Sequence, residues 1–506
     1  GRDPEPLAML QDHLPPLLPV VPLLGALVLP AVGLVRRGLV YPLAVAVEAA
    51  TAGLSLLALR QVLISGAVSY QVGGWAPPWG IELVLDHLSA FTAVVVSGVG
   101  TLALLYAGPV AAREMRGREG AFFGLALLLL ASLMGIIVTG DLFNLFVFLE
   151  VASIAGYALV ASGEGPALFA AFRYIVLGTA GASLYLLGVG HLYLITGSLN
   201  MADLSHRLPE LASSPVLAVA VGFMVIGLGI KMGLFPLHGW LPDAYTHAPA
   251  AVTALIAPVT TKVAVYALAR ILFSVLGAPD ALAEVPLMTV LAWSGGVAII
   301  AGAVMAIRQH DFRRLLAYSS VSQMGYIVLG IGIANRPALA GAYLHILNHA
   351  MMKGCLFFAA GAAAARLGGT TLSDLRFMFR RMPVTTGCMV VAALSMIGIP
   401  PAGGFFSKWY LLVGAIQGGH LGLAAVILVG GLLAAVYMFR LLEHACLTPH
   451  DGNEHAPAAH MPERSEASLG VLVPLIVLGI GILAVGIWSE PIVSGVLWFT
   501  PPSGLR

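Results

Sequence analysis

Charge is what this sequence has least of. Only 10% of its 506 residues are Asp, Glu, Lys or Arg, against roughly 25% in an ordinary soluble chain. Hydrophobic residues make up 59% and the mean hydropathy is +0.95, so there is too little polar surface to face water. Cysteine is nearly absent as well. Cys355, Cys388 and Cys446 are far apart and form no CxxC pair, which argues against an iron–sulfur cluster or a structural zinc. There is no phosphate-binding P-loop and no dinucleotide fingerprint, so nucleotide or NADH chemistry would belong to another chain. A formal net charge of +1 does not suit a nucleic-acid binder. Gly1 to Pro6 carry no basic n-region, and no signal peptide is expected.

What is present is long apolar runs. Fourteen fall at about 17–35, 40–63, 82–108, 120–139, 142–162, 167–196, 214–236, 250–276, 286–307, 312–333, 338–363, 384–417, 419–440 and 469–497, here called segments 1 to 14. Lipid offers no partner for free backbone groups, so each run must close its own hydrogen bonds as a helix of about 20 residues. The expected fold is all-α, a polytopic membrane protein of about fourteen transmembrane helices. Residues 1–119 hold helices 1–3, 120–276 helices 4–8, 286–440 helices 9–13, and 441–506 a polar loop and helix 14. That loop carries His444, His450, His455 and His460; a solvated loop is the default reading and metal binding the minor one.

Arginine sets the expected orientation. Fifteen of the arginines lie in or beside the odd-numbered connections, among them Arg36, Arg113, Arg308, Arg376 and Arg440. Six, including Arg60, Arg207 and Arg270, fall on the other side. The positive-inside rule then places the odd connections in the cytoplasm and both termini outside.

Lysine behaves differently. The chain has four, Lys231, Lys262, Lys353 and Lys408, and all lie inside apolar segments. Arginine keeps its charge almost anywhere, whereas a buried lysine can lose its proton. Snorkelling from a helix end fits Lys262 and Lys353 poorly, because both are many residues from either end. Glu150 stands mid-segment in FNLFVFLEVASIAGYALV. A lone carboxylate at that depth marks a proton or ion path and needs a cation beside it. His345, His349 and Lys353 follow one another at i, i+4 and i+8, which is one stripe of a helix with about 6 Å of rise per step. Two histidines at that spacing could ligate a metal, but the third group is a lysine, so a proton relay is the stronger reading. Segment 7 couples Lys231 to Pro236, and segment 12 couples Lys408 to Pro400, Pro401, Gly403 and Gly404. Helix breakers in corresponding positions of two halves suggest an inverted repeat, helices 4–8 and 9–13, with helices 7 and 12 broken.

At these residues the chain resembles the proton-translocating antiporter-like subunits shared by Mrp-type sodium/proton antiporters, complex I and membrane-bound hydrogenases. The resemblance covers nearly the whole chain, most tightly from about 120 to 415. It rests on Glu150, the stretch from Lys231 through FPLHGWLPD to Asp243, Lys262, the His345/His349/Lys353 stripe, and FFSK at 405–408. GGWAPPWGI at 73–81 followed by Asp86, and DLFNLFVFLE at 141–150, look most like the D-type member of the Mrp branch. The resemblance implies a hetero-oligomeric membrane complex with other subunits, protons as cargo and sodium at the level of the complex. It implies no cofactor, metal or nucleic acid. The proton relay it implies comprises Glu150, Lys231, Lys262, His345, His349, Lys353 and Lys408. An alternative is the same module in a redox-driven hydrogenase or complex I. An organic-solute carrier is more remote, because the buried groups are mostly titratable. In a low-dielectric interior two charges 4 Å apart are worth about 4 kcal/mol, so moving Glu150 away would prompt Lys231 to release its proton.

Overall fold

The computed structural model describes residues 12–277, 282, 285–376, 378–447 and 465–497. His450, His455 and His460 of the polar loop lie outside these. His444 belongs to the end of segment 13, its Nδ1 2.8 Å from the Arg440 carbonyl one turn back.

Segments 1 to 6 are the helices Leu14–Val35, Val40–Ser65, His87–Glu114, Glu119–Val138, Leu142–Ala161 and Pro166–Thr196. Segment 8 is Ala250–Arg270, continued by a π-helical turn, Ile271–Val275. Segments 9, 10, 11, 13 and 14 are Leu287–Ile307, Phe312–Ile333, Arg336–Leu367, Leu421–Cys446 and Leu469–Ile487. Thirteen of the described helices are long and apolar enough to cross a membrane. Segment 12 is not among them, because its two 15-residue pieces are each too short alone.

Segments 7 and 12 are both interrupted. The first piece of segment 7, Pro215–Met232, stops at Gly233, whose φ of 68° only glycine adopts freely, and the helix resumes at Leu241–His247. Segment 12 stops after Pro383–Ile397 at Gly398, with φ 98°, and resumes at Gly403–Gln417. Loose backbone at membrane depth is tolerated only where protein covers it. In segment 7 the buried Trp240 does this, its indole N–H donating to the Ile230 carbonyl at 2.7 Å.

Three boundaries differ from the sequence reading, one of them the end of segment 13, which runs on to Cys446. Residues 82–85 do not begin segment 3. They form strand β2, Glu82–Leu85, antiparallel to β1, Val68–Gln71, with Val68 opposite Leu85. The stretch is apolar enough to read as a helix start, but Asp86 caps the helix behind it by accepting from the Ser89 N–H. Segment 14 ends at Ile487, and a short helix, Ser489–Gly495, follows.

The centre of the molecule is where the titratable groups sit. Segments 8 and 10 are buried almost throughout, whereas segments 1, 2, 6, 13 and 14 turn most of their surface outward. Segment 8 packs on segments 3, 7 and 11, and segment 11 packs on segments 10 and 12. Segments 5 and 10 begin alike. Asp141 and Asp311 cap them by accepting from the Asn144 and Arg314 N–H groups, and each aspartate forms a β-bridge to a residue that follows the next long helix, Asn200 and Thr371 respectively.

Candidate functional site: a file of buried lysines and histidines

Glu150 and Lys231 meet across segments 5 and 7. The ammonium lies 3.4 Å from the Glu150 carboxylate and donates a shorter hydrogen bond, 2.6 Å, to the Ser153 hydroxyl. Lys231 occupies the last turn before the break at Gly233. Its side chain is only 8% exposed, and that of Glu150 is 27% exposed. The Glu150 side chain is therefore partly exposed at the surface of the chain.

A cavity of about 30 Å³ continues inward from Lys231. Ser153, Tyr174, Thr260, Val263 and Ala264 are among its lining residues. That is room for about one water molecule, with hydroxyls available to hold it. Its far wall is segment 8, and Lys262 lies on that helix, fully buried, its Nζ donating to the Ala257 carbonyl at 2.7 Å and the Thr261 hydroxyl at 3.3 Å.

The stripe of segment 11 is enclosed entirely. His345, His349 and Lys353 are each 0% exposed. The two imidazoles lie nearly parallel with ring centroids 6.1 Å apart. His345 Nε2 is 3.0 Å from the Gln323 Oε1, and Nδ1 is 2.8 Å from the Ser407 hydroxyl. With the carboxamide oxygen turned to the ring, Nε2 carries the hydrogen and Nδ1 accepts from Ser407. His349 has both ring nitrogens buried without a partner among the described residues. Lys353 points to segment 10, donating to the Leu316 carbonyl at 2.7 Å and the Ser319 hydroxyl at 2.6 Å.

Lys408 sits just past the break in segment 12. Its Nζ donates to the Met396 and Ile397 carbonyls, 2.7 and 3.1 Å away, which the ending of the first half-helix leaves free. The Tyr326 ring lies beneath it at 4.7 Å, and the same ring is 5.7 Å from His345. The structure thus joins Glu150 to Lys231, and gathers His349, His345, Ser407, Tyr326 and Lys408 into one cluster. Lys262 and Lys353 make no hydrogen bond or ion pair to another relay residue among the described residues. Lys353 and Lys408 also stand at opposite ends of the stripe, with the histidines between them.

Several neighbours escape sequence reasoning. Ser153, Ser319, Gln323 and Ser407 hold the titratable groups, but single hydroxyls and amides in apolar helices carry no signal of their own. Arg270, by sequence a residue of the outer connections, is 6% exposed and ion-paired with Asp86, beside a cavity of about 60 Å³ that Tyr343 also lines. Charge counting reads every terminal arginine as solvated, and only packing reveals the pair. Glu48, at 0% exposure in segment 2, is a further charge within an apolar run, and neither of its carboxyl oxygens has a hydrogen-bond partner among the described residues. A second ion-pair group ties the scaffold together, with Asp243 of the resumed half of segment 7 paired to Arg173 and to Arg314.

The chain has clear relatives. Residues 139–434 match the family described as NADH:quinone oxidoreductase/Mrp antiporter, TM. The NADH-quinone oxidoreductase subunit N of Desulforudis audaxviator is 48% identical over 502 residues, covering 97% of this chain and 99% of that one. The D-type Na(+)/H(+) antiporter protein of Alkalihalophilus pseudofirmus is 35% identical over 430 residues, covering 85% and 84%. Among solved structures, a chain of the membrane-bound sulfane sulfur reductase, an archaeal respiratory membrane complex, superposes with a TM-score of 0.88 at 30% identity over 96% of each chain. This chain is a multi-pass membrane protein and belongs to the NADH:quinone oxidoreductase/Mrp antiporter transmembrane family.

Proposed function

We propose that this chain is the proton-carrying subunit of a multi-subunit membrane complex, and that Glu150, Lys231, Lys262, His345, His349, Lys353 and Lys408 form its relay. The observation that carries the reading is the burial of four lysines and two histidines along segments 7, 8, 11 and 12 with, among the described residues, a single acidic partner, Glu150. Fixed structural charges would be neutralised one for one. Lysines held only by carbonyls and hydroxyls can exist with or without the extra proton. Glu150 holds the charge on Lys231, and displacing or protonating Glu150 releases the Lys231 proton inward through the cavity at Thr260. From Lys262 the proton passes to the histidines, and onward to Lys408 beside Tyr326. The partly open Glu150 carboxylate would be costly against lipid, so a neighbouring protein of the complex covers it. Segments 4–8 and 9–13 act as the two halves of an inverted repeat, supported by the matching breaks and the matching aspartate caps. Both termini lie on the outer face by the arginine distribution.

The Mrp-like motifs at 73–81 and 141–150 and the antiporter relative support an Mrp-type sodium/proton antiporter, the assembly expected from the sequence. A second reading has its own observation. The end-to-end likeness at 48% identity to a chain named as an NADH-quinone oxidoreductase subunit favours a redox-driven assembly. Purifying the native complex and identifying its subunits by mass spectrometry separates the two. Small membrane subunits alone mean an antiporter, and co-purifying redox subunits mean an oxidoreductase. Proton uptake by vesicles containing the complex tests the shared part, and vesicles that move no protons under either driving force would refute it.

A further inference from the structure

Segments 3, 11 and 14 pack on one another, and where segments 3 and 11 end and segment 14 begins they enclose a cavity of about 660 Å³. Three arginines line it: Arg113 in the last turn of segment 3, Arg116 just beyond that helix, and Arg366 in the last turn of segment 11. All three are exposed, and none makes a hydrogen bond or ion pair to the described residues. The carboxylates nearby are committed elsewhere. Glu114, which also lines the cavity, accepts from the Ala250 and Ala251 N–H groups at 3.2 and 3.1 Å and so caps the first turn of segment 8. Glu119 accepts from the Gly117 N–H at 3.1 Å. Glu466 accepts from the Val384 N–H at 2.8 Å and the Thr385 hydroxyl at 2.6 Å. The cavity lining thus holds three positive charges against one negative.

Polarity changes along the cavity in one direction. Val110 precedes Arg113 on segment 3, and Ala362 precedes Arg366 on segment 11, each by about one turn toward the middle of its helix. Val471 likewise lies inside segment 14, beyond the Ser468 that precedes its first turn. The guanidiniums therefore stand at the helix ends, and the apolar walls descend from them into the membrane-spanning part. A free anion would use only the charged end. A phospholipid uses both, with its phosphate on the guanidiniums and its glycerol esters and first methylenes against Val110, Ala362 and Val471. A zwitterionic headgroup would bring a further cation into a site that already has an excess of positive charge, so the fitting headgroup is anionic.

We propose that this cavity is a binding site for an anionic phospholipid, its phosphate diester held by Arg113, Arg116 and Arg366. Guanidinium suits the task because its planar fork meets phosphate oxygens in pairs. The lipid supplies the counter-charge that the protein withholds from these arginines. The site lies beside the Glu114 cap of segment 8 but uses no group of the relay, so it stands or falls independently of the proton path.

The test uses the purified complex in nanodiscs, with bound lipid counted by native mass spectrometry after transfer from phosphatidylglycerol into excess phosphatidylcholine. The wild type should keep a phosphatidylglycerol molecule in preference to phosphatidylcholine by roughly tenfold or more. A variant combining Arg113→Gln, Arg116→Gln and Arg366→Gln should lose it. Ala365→Trp, at an exposed residue of the lining, fills the cavity, leaves every charge in place and should lose the same molecule. A variant combining Arg36→Gln, Arg308→Gln and Arg380→Gln removes three exposed charges outside the cavity and should keep it. Equal retention by the wild type and both cavity variants overturns the site. Loss from the outside variant to the same extent reduces the effect to diffuse surface charge and overturns it too. Displacement of the retained lipid by inorganic phosphate assigns the cavity to a free anion and overturns the lipid. If the cavity variants do not assemble, the wild type decides alone, and exchange of phosphatidylglycerol for phosphatidylcholine without preference contradicts the proposal.

Discussion

Lys231 is nearer to an alcohol than to its counter-ion: the ammonium is 2.6 Å from Ser153 and 3.4 Å from Glu150. The hydroxyl anchors the side chain, and the carboxylate supplies charge. At 3.4 Å and an effective dielectric near 20 the attraction is about 5 kcal/mol, enough to decide whether Lys231 keeps its proton. Glu150→Ala and Glu150→Gln should therefore both lose at least about tenfold in proton transport while assembly persists, because glutamine restores the shape without the charge. Vesicle transport with subunit quantification checks this, and wild-type rates from either variant would refute the pairing.

His345 is hydrogen-bonded to Gln323 and Ser407, whereas neither ring nitrogen of His349 has a hydrogen-bond partner among the described residues. A buried imidazole with two unsatisfied nitrogens requires water. A high-resolution structure of the complex should contain ordered water within hydrogen-bond distance of His349. Ser407→Ala and Gln323→Leu should each slow transport without dissociating the complex, since each removes one partner of the His345 ring. A dry His349 site, or full rates from both variants, contradicts a role for the stripe in proton transfer.

Asp86 and Arg270 tie the start of segment 3 to the end of segment 8. Burial alone would raise the Asp86 carboxyl, but the Arg270 charge and the hydrogen bonds from Ser89 and Arg270 outweigh it and hold the group below its usual range. The pair's contribution is therefore present above the ordinary carboxylate range and disappears as pH falls through the lowered value. Arg270→Met, which strands the carboxylate, should destabilise the complex by roughly 3 kcal/mol, seen as a lower Tm at neutral pH. Asp86→Asn should flatten the acid end of the Tm–pH curve. An unchanged Tm for Arg270→Met would mean that the pair contributes nothing to holding the two helices.

The long apolar helices and the two breaks are legible in the sequence because lipid imposes one rule on all of them and proline and glycine punctuate the exceptions. The fine boundaries are not. Val84 and Leu85 look like the entry to a helix, and only pairing with Ser69 and Val68 makes them strand. The titratable residues are visible as charges in apolar runs, and Glu48 meets the same criterion, although the small residues beside it, Ala49, Ala50 and Gly53, make its stretch look like ordinary helix packing. Arg270 is invisible because its partner is 184 positions away. The order along segment 11 is also beyond a one-dimensional reading. Spacing puts His345, His349 and Lys353 on one stripe, but the fold alone decides that Lys408 approaches the His345 end.

The central claim is that the lysines work by losing their protons, and Lys→Arg tests it most directly. Lys262 and Lys408 each rest on carbonyl oxygens that a guanidinium could also satisfy, so arginine keeps the charge and the hydrogen bonds while removing the ability to deprotonate. Proton transport by vesicles carrying Lys262→Arg and Lys408→Arg complexes, each verified as assembled, should fall nearly as far as in the corresponding alanine variants. Near-normal transport by both arginine variants would contradict the relay.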